Sequence, residues 1–192
     1  PDTGTQFLTF ATGVRNGESR TRQGVGAVWA KGPTSFKGEF VSMRMDLEKT
    51  ANNVITNPNT RFDSWYVTLG YVLTGEDAKI YDRLVPMKPF GKGGGIGAWD
   101  VLGRISGFQA EREPFTNLDK QFASSPQPTD TGVGSTTDVA SWMLGLNWTP
   151  LSNARVMLDY GENNFGADYV GALGADVRKK ERFVMLSTQF DF

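Results

Sequence analysis

WMLGLNW, Trp142 to Trp148, puts Trp142, Leu144, Leu146 and Trp148 on one face of an extended chain and Met143, Gly145 and Asn147 on the other. Successive side chains of a strand point to opposite sides, so this spacing fits a strand and not a helix. The apolar face has a further feature: a tryptophan stands at each end and leucines fill the middle. Indole is an apolar ring with one N–H that needs a polar partner, so it suits the level where hydrocarbon meets water. Rings at both ends of an apolar run form the girdles of a membrane-spanning β-barrel.

The same alternation recurs outward from this stretch. Trp65, Val67, Leu69, Tyr71 and Leu73 oppose Tyr66, Thr68, Gly70 and Val72; Trp99, Val101, Gly103 and Ile105 oppose Ala98, Asp100, Leu102 and Arg104. Val156, Leu158 and Tyr160 oppose Arg155, Met157 and Asp159, and the final strand carries Val184, Leu186, Phe190 and Phe192 on one side. No segment keeps apolar residues at helical spacing for long. The pattern predicts an all-β chain of eight strands, at 5–14, 22–31, 35–45, 62–73, 97–108, 139–149, 154–162 and 182–192. The turns Lys31-Gly32-Pro33-Thr34 and Thr149-Pro150-Leu151-Ser152-Asn153 are tight, whereas 46–61, 109–138 and 163–181 are polar and read as long loops. With strands running up and down, short turns fall at one end and long loops at the other, as in outer-membrane barrels. The connection 74–96 is long at the short-turn end and breaks the rule.

Composition narrows the function. The 192 residues suit one domain, and the formal net charge of −1 lacks the basic excess of a nucleic-acid-binding protein. There is no cysteine and no histidine, which removes disulfides, thiolate metal sites and the Ser-His and Cys-His nucleophile pairs. The longest nearly apolar stretch, Trp65 to Leu73, is about half the roughly 20 residues that a membrane-spanning helix needs. The chain opens on PDTG with no signal-peptide pattern, and reads as a mature chain or a fragment. Gly93, Gly95 and Ala98 satisfy a loose dinucleotide fingerprint, but a strand follows where a helix N-terminus is required, so no cofactor is expected. Asn147-Trp148-Thr149 is a glycosylation sequon on a strand and carries no weight.

Alternation alone fits a membrane barrel and a soluble β-sandwich equally, since both need one apolar face per strand. The tryptophans favour the barrel: Trp29, Trp65, Trp99, Trp142 and Trp148 all fall near strand ends. An antiparallel transmembrane β-barrel is therefore the expected fold.

The terminal alternation, with Thr188, Phe190 and Phe192 on one face, resembles the last strand of bacterial outer-membrane proteins. The runs WYVTLGYVLTGEDAKIYDRLVP, GAWDVLGRIS, LGLNWTP and ARVMLDY, with the hairpin KGPTSFKGEF, resemble the phosphate-selective porins O and P over residues 22–192. The resemblance implies a trimer of 16-stranded barrels in the bacterial outer membrane, surrounded by its lipid and passing small phosphate-like anions. The eight strands here match the C-terminal half of such a barrel. It also implies that Phe190 and Phe192 belong to a signal read by the assembly machinery.

Charges on the less apolar faces are the candidate pore lining: Lys37, Glu39, Asp100, Arg104, Arg155 and Asp159. Facing lipid near the midplane, each would cost about 2–4 kcal/mol, so inward placement is expected. Lys37, Arg104 and Arg155 are candidates for an anion path, with internal pairing of the mixed charges as the competing reading. Arg83, Lys88 and Lys92 of the odd connection are candidates for a basic funnel at the mouth. A passive channel leads, against a closed structural or binding barrel or a soluble sandwich. A hydrolase using Asp100 and Asp159 is disfavoured by the missing histidine.

Overall fold

The computed structural model describes residues 8, 10, 13–50, 54–91, 93–111, 136–166 and 180–191. Seven strands form one antiparallel sheet in chain order: β1 (Val14–Lys31), β2 (Thr34–Thr50), β3 (Val54–Val72), β4 (Ala98–Ala110), β5 (Asp138–Leu151), β6 (Ala154–Phe165) and β7 (Lys180–Phe190). The sheet is open, with β1 and β7 at its edges. No helix of the described residues is long and apolar enough to cross a membrane.

Among the described residues the sheet has seven strands, a correction to the expected eight. The span 5–14 lies mostly outside the described residues; Phe10 makes an isolated bridge, and Val14 already opens β1. The polar residues 15–21, read as a gap, are part of that strand. Likewise 46–61 is not a loop, since β2 continues to Thr50 and β3 starts at Val54, with Leu47 opposite Asn57 and Lys49 opposite Ile55. The physical reason is an inversion of polarity along the strand. Beyond the apolar belt the outward side chains meet water, and Arg44, Asp46 and Glu48 give the sequence the composition of a loop. The inward partners Met43, Met45 and Leu47 meanwhile pack with Phe62, Phe108 and Ala110 into a small apolar core, where Leu47 is almost wholly buried. Pro58 and Asn59 sit in a bulge opposite Asp46, whose carboxylate accepts the Asn59 N–H at 2.8 Å, and Asn59 takes a left-handed φ of 56°. A bulge tolerates both a proline without an N–H and a positive φ.

The two faces of the sheet are sorted as the alternation requires. On the outward face Leu144 is 59% exposed and Leu186 69%; on the inward face Asn147 is 1% and Asp159 8%. Such a distribution, apolar outside and polar inside, inverts that of a water-soluble sheet. No second sheet covers the apolar face among the described residues.

The apolar belt crosses the ladder obliquely. On β1 and β2 it is centred on the pair Ala27 and Gly38, on β3 at Leu69, and on β6 and β7 just below the pair Leu158 and Leu186. Rungs of the ladder link these positions, so the belt slides by about five residues over the six strand-to-strand steps. At about 3.4 Å per residue and about 4.8 Å per step, the strands lean about 30° from the belt's normal. Strand tilt in closed barrels is of this order.

The tight turns, Gly32-Pro33 and Ser152-Asn153, share one end with the connection 73–97. That connection wraps the rim of the sheet. Its residues 78–84 turn inward and, with Ser35, Asp100, Thr149, Arg155 and Gln189 of the wall, enclose a cavity of about 400 Å³. Residues 88–97 return on the outer side, where the Trp148 and Trp99 indoles donate to the Ile96 carbonyl at 2.8 and 3.3 Å and Phe90 meets Trp148 edge-on. Trp99 stacks on Trp148 with centroids 5.6 Å apart. The girdle therefore serves also as the seat of the connection. Gly97, at φ 75°, lies where a side chain would strike the Trp148 ring and the Thr149 carbonyl.

Between these two lobes Glu76 is buried and anchors the crossing. It accepts from the Thr74 hydroxyl and from the Met87 N–H at 3.0 Å, while Thr74 Oγ1 also accepts the Trp99 N–H at 3.0 Å. Burial pushes the Glu76 carboxyl up, but the Thr74 and Met87 hydrogen bonds outweigh it and hold the group below the usual carboxylate range. A lowered folded pKa means a contribution present above the unfolded value and lost as pH falls through the folded one. Hydrogen-exchange protection of the Met87 amide should thus hold from neutral pH through the ordinary carboxylate range and fall only below it. In E76A it should be lost at every pH; protection unchanged in E76A, or lost already near pH 6, would refute the anchor.

The face assignment is checked with nitroxide labels. Labels at Leu144, Leu158 and Leu186 should be quenched by lipid-soluble oxygen, and labels at Thr68, Ser106 and Ser187 by a water-soluble nickel complex. A one-residue slip exchanges the two faces, so the reverse pattern would discard this register.

Candidate functional site in the inward wall

Cross-strand register decides which inward side chains meet. One rung runs Lys37, Thr68, Arg104, Met143, Gly161 and Phe183; the next toward the loop end runs Glu39, Tyr66, Ser106, Ser141, Asn163 and Glu181. Tyr66 is the meeting point. The Arg104 guanidinium lies 4.2 Å from its ring centroid and the Lys37 ammonium 6.0 Å. A cation over an aromatic face gains about 0.5–1 kcal/mol at an exposed site, enough to favour one arrangement of two long side chains. Neither cation has a carboxylate within ion-pair distance among the described residues. Arg22, Glu39, Tyr66, Arg104, Ser106 and Ser141 share a groove of about 380 Å³ with the neighbouring wall. Lys37 and Arg104 at the Tyr66 ring, with the Ser106 hydroxyl beside Arg104 and Glu39 tempering their charge, can hold an anion.

The wall on either side is cross-linked. Ser141 donates to Asn163 at 2.7 Å, and Asn163 donates to Glu181 at 3.3 Å. Nearer the short turns, Asn147 donates to Asp100 at 2.6 Å and Arg155 approaches the same carboxylate at 4.0 Å. Asp159 lies across Gly145, where an added side-chain carbon would sit 2.6 Å from its Oδ1 and 2.9 Å from Leu102. Gly145 thus leaves the room that an inward carboxylate needs in a packed wall.

Lys37, Glu39, Asp100, Arg104, Arg155 and Asp159 all lie on the inward side of the ladder. They do not form one cluster. Glu39 and Arg104 line the groove beside Tyr66, and Lys37 approaches the same ring; Asp100 and Arg155 pair near the short-turn end; Asp159 lies between the two groups. The three basic residues of the connection also separate. Arg83 lines the inner cavity and pairs with Asp191 at the end of β7, Lys88 is exposed on the rim, and Lys92 lies outside the described residues. Phe190 is outward and opposes Ala154, while Phe192 lies outside the described residues.

Sequence reading missed Tyr66 and the role of Asn147 as a donor to Asp100. Both stood on the less apolar faces, but their importance comes from register: only the ladder brings Tyr66 between Lys37 and Arg104, and Asn147 opposite Asp100. The residue types gave no separate signal.

An apolar outer belt, a polar inner wall and basic side chains converging on that wall are the parts of a porin. The family profile of the phosphate-selective porins O and P matches residues 2–192, reaching further toward the N-terminus than the motifs alone. No curated protein matches the chain. With nearly all its residues covered by that profile, the chain belongs to the phosphate-selective porin O and P family.

Proposed function

We propose that this chain forms part of a passive diffusion channel of the bacterial outer membrane that prefers small anions of the phosphate type. The observation that carries the reading is the Lys37, Tyr66 and Arg104 group on the inward face, with two cations that no described carboxylate neutralises. Fixed charges on a narrow, low-dielectric wall act more strongly than in open water, and rings of Arg or Lys set anion preference. Arginine also offers a planar fork that matches phosphate oxygens. Arg155 is the weaker contributor, because Asp100 offsets its charge; Glu39, Asp100 and Asp159 temper the field along the path. Arg83, Lys88 and Lys92 would serve as a basic approach at the short-turn mouth, with Arg83 partly cancelled by Asp191.

The open edges of β1 and β7 support a larger closed barrel, because hydrocarbon leaves no water to satisfy a strand edge. Family membership favours 16 strands and a homotrimer. The reading needs no cofactor, metal or catalytic residue.

In a planar bilayer with a salt gradient, the reversal potential of the native porin should show anion selectivity. K37E/R104E should shift it toward cations strongly at about 0.1 M salt, where the Debye length is about 10 Å, and little at about 1 M, where it is about 3 Å. Cation selectivity in the unmodified channel, or indifference to the double substitution at low salt, would remove these residues from the path. Deleting Phe192 should lower the yield of heat-modifiable barrel in the outer membrane. Normal assembly without it would contradict its place in a terminal signal.

A further inference from the structure

The segment Lys180-Glu181-Arg182 alternates in sign at the start of β7. Alternation sends Glu181 inward, where it accepts from Asn163, and sends both cations outward, onto the belt side of the sheet. There they meet a single carboxylate. Glu162 of β6 accepts the Lys180 ammonium at 3.2 Å through Oε1 and the Arg182 Nε at 2.9 Å through Oε2. The Glu162 side chain is only 9% exposed, whereas those of Lys180 and Arg182 are 61% and 68% exposed. The carboxylate is thus covered by the cations it holds, and the group faces outward with one positive charge in excess. Once Nε is bound, the terminal nitrogens of Arg182 are still available as donors, as are two N–H bonds of Lys180.

The level of this group is defined by its neighbours. On the outward face Glu162 opposes Trp142, and Trp142 meets Tyr160 edge-on at 5.5 Å. Val184 and Leu186 continue the belt below. Glu162 and Arg182 therefore stand on the rung of Trp142, with Lys180 the next outward residue beyond it, at the loop-end limit of the belt where head groups begin. Two other outward arginines near that rim, Arg61 and Arg15, each bind one carboxylate, Asp63 and Glu48; here two cations share one.

We propose that Lys180 and Arg182, oriented by Glu162, form a binding site for the phosphate groups of an anionic lipid in the leaflet at the loop end. The site rests on the membrane reading above. Arginine's terminal fork takes two phosphate oxygens and lysine adds a point charge, while the acyl chains lie along Val184 and Leu186. Glu162 is the positioning residue: it spaces the cations and keeps them from folding onto other acceptors.

The test uses the porin purified in its native form, exchanged into phosphatidylcholine nanodiscs containing a small fraction of diphosphorylated lipid A, with retained lipid A counted by native mass spectrometry. K180Q/R182Q should lower retention about tenfold or more, since each basic residue near an anionic surface is worth about 1 kcal/mol. R182K should fall between, because it keeps the charge and loses the fork; K31Q, at the opposite end, should match the parent. Lipid A stripped of phosphate should not be retained, and inorganic phosphate at equal concentration should not displace the lipid. Equal retention by parent and double variant would overturn the site, as would equal retention of the dephosphorylated lipid or displacement by free phosphate. So would a double variant that loses its oligomeric state but keeps its lipid, which would assign the group to a contact between copies of the chain. Each of these leaves conductance and selectivity intact, whereas a porin that stays soluble without detergent or lipid would sink the membrane reading itself.

Discussion

Everything in this structure depends on the ladder of main-chain hydrogen bonds between neighbouring strands. In hydrocarbon an unpaired N–H or C=O costs several kilocalories per mole, so a strand can face lipid only with both neighbours in place. That requirement leaves the side chains little part in holding the sheet together. They are free to be sorted by surroundings, one face for lipid and one for the interior, and the period of two does the sorting. Val25, Leu69, Leu144, Leu158 and Leu186 are exposed on the face that no second layer of protein covers among the described residues.

Because the ladder fixes register, it also fixes which interior groups can touch. The Tyr66 group shows this most clearly. Lys37, Tyr66 and Arg104 come from three strands, and their approach needs β2, β3 and β4 aligned to the residue. Glycines complete the arrangement by leaving space: Gly145 accepts the Asp159 carboxylate and Gly107 lies under the Trp65 indole, where an added carbon would be 2.6 Å from Nε1. A wall of uniformly large side chains would have neither the inward carboxylate nor the flat-lying ring.

The belt was legible in the sequence and the ends of the strands were not. Between Trp142 and Trp148, or Trp65 and Leu73, apolar alternation and aromatic ends signal the same boundary, and the strand and its two faces follow. Past the belt the outward residues turn polar. Arg44, Asp46 and Glu48 then resemble loop residues, although Met43, Met45 and Leu47 continue the alternation on the other side. Treating polarity as the end of a strand lost the hairpin of β2 and β3 above the belt and divided β1. Pairings such as Asn147 with Asp100 and Glu162 with Arg182 were beyond reach for another reason. They depend on loop lengths and bulges that shift one strand against the next, such as those near Asp46 and Pro150, and these leave little mark in composition.

The connection 73–97 shows how one segment can answer to both sides of the wall. Its inner lobe carries Arg83 to Asp191, at the end of β7, and forms the cavity beside Arg155. Its outer lobe is fastened to Trp99 and Trp148, the belt's own girdle. Glu76 and Thr74 tie the two lobes at the crossing point. A girdle tryptophan needs a partner for its N–H, and in a bare barrel water or a head group supplies it. Here the protein supplies the Ile96 carbonyl, so the side chains that set the depth of the sheet also fix the base of the inward lobe. The lobe's position against the inward wall is thereby referred to the same rim as the belt. The long connection at the short-turn end, an exception when read as a loop, is thus a built part of the sheet's rim.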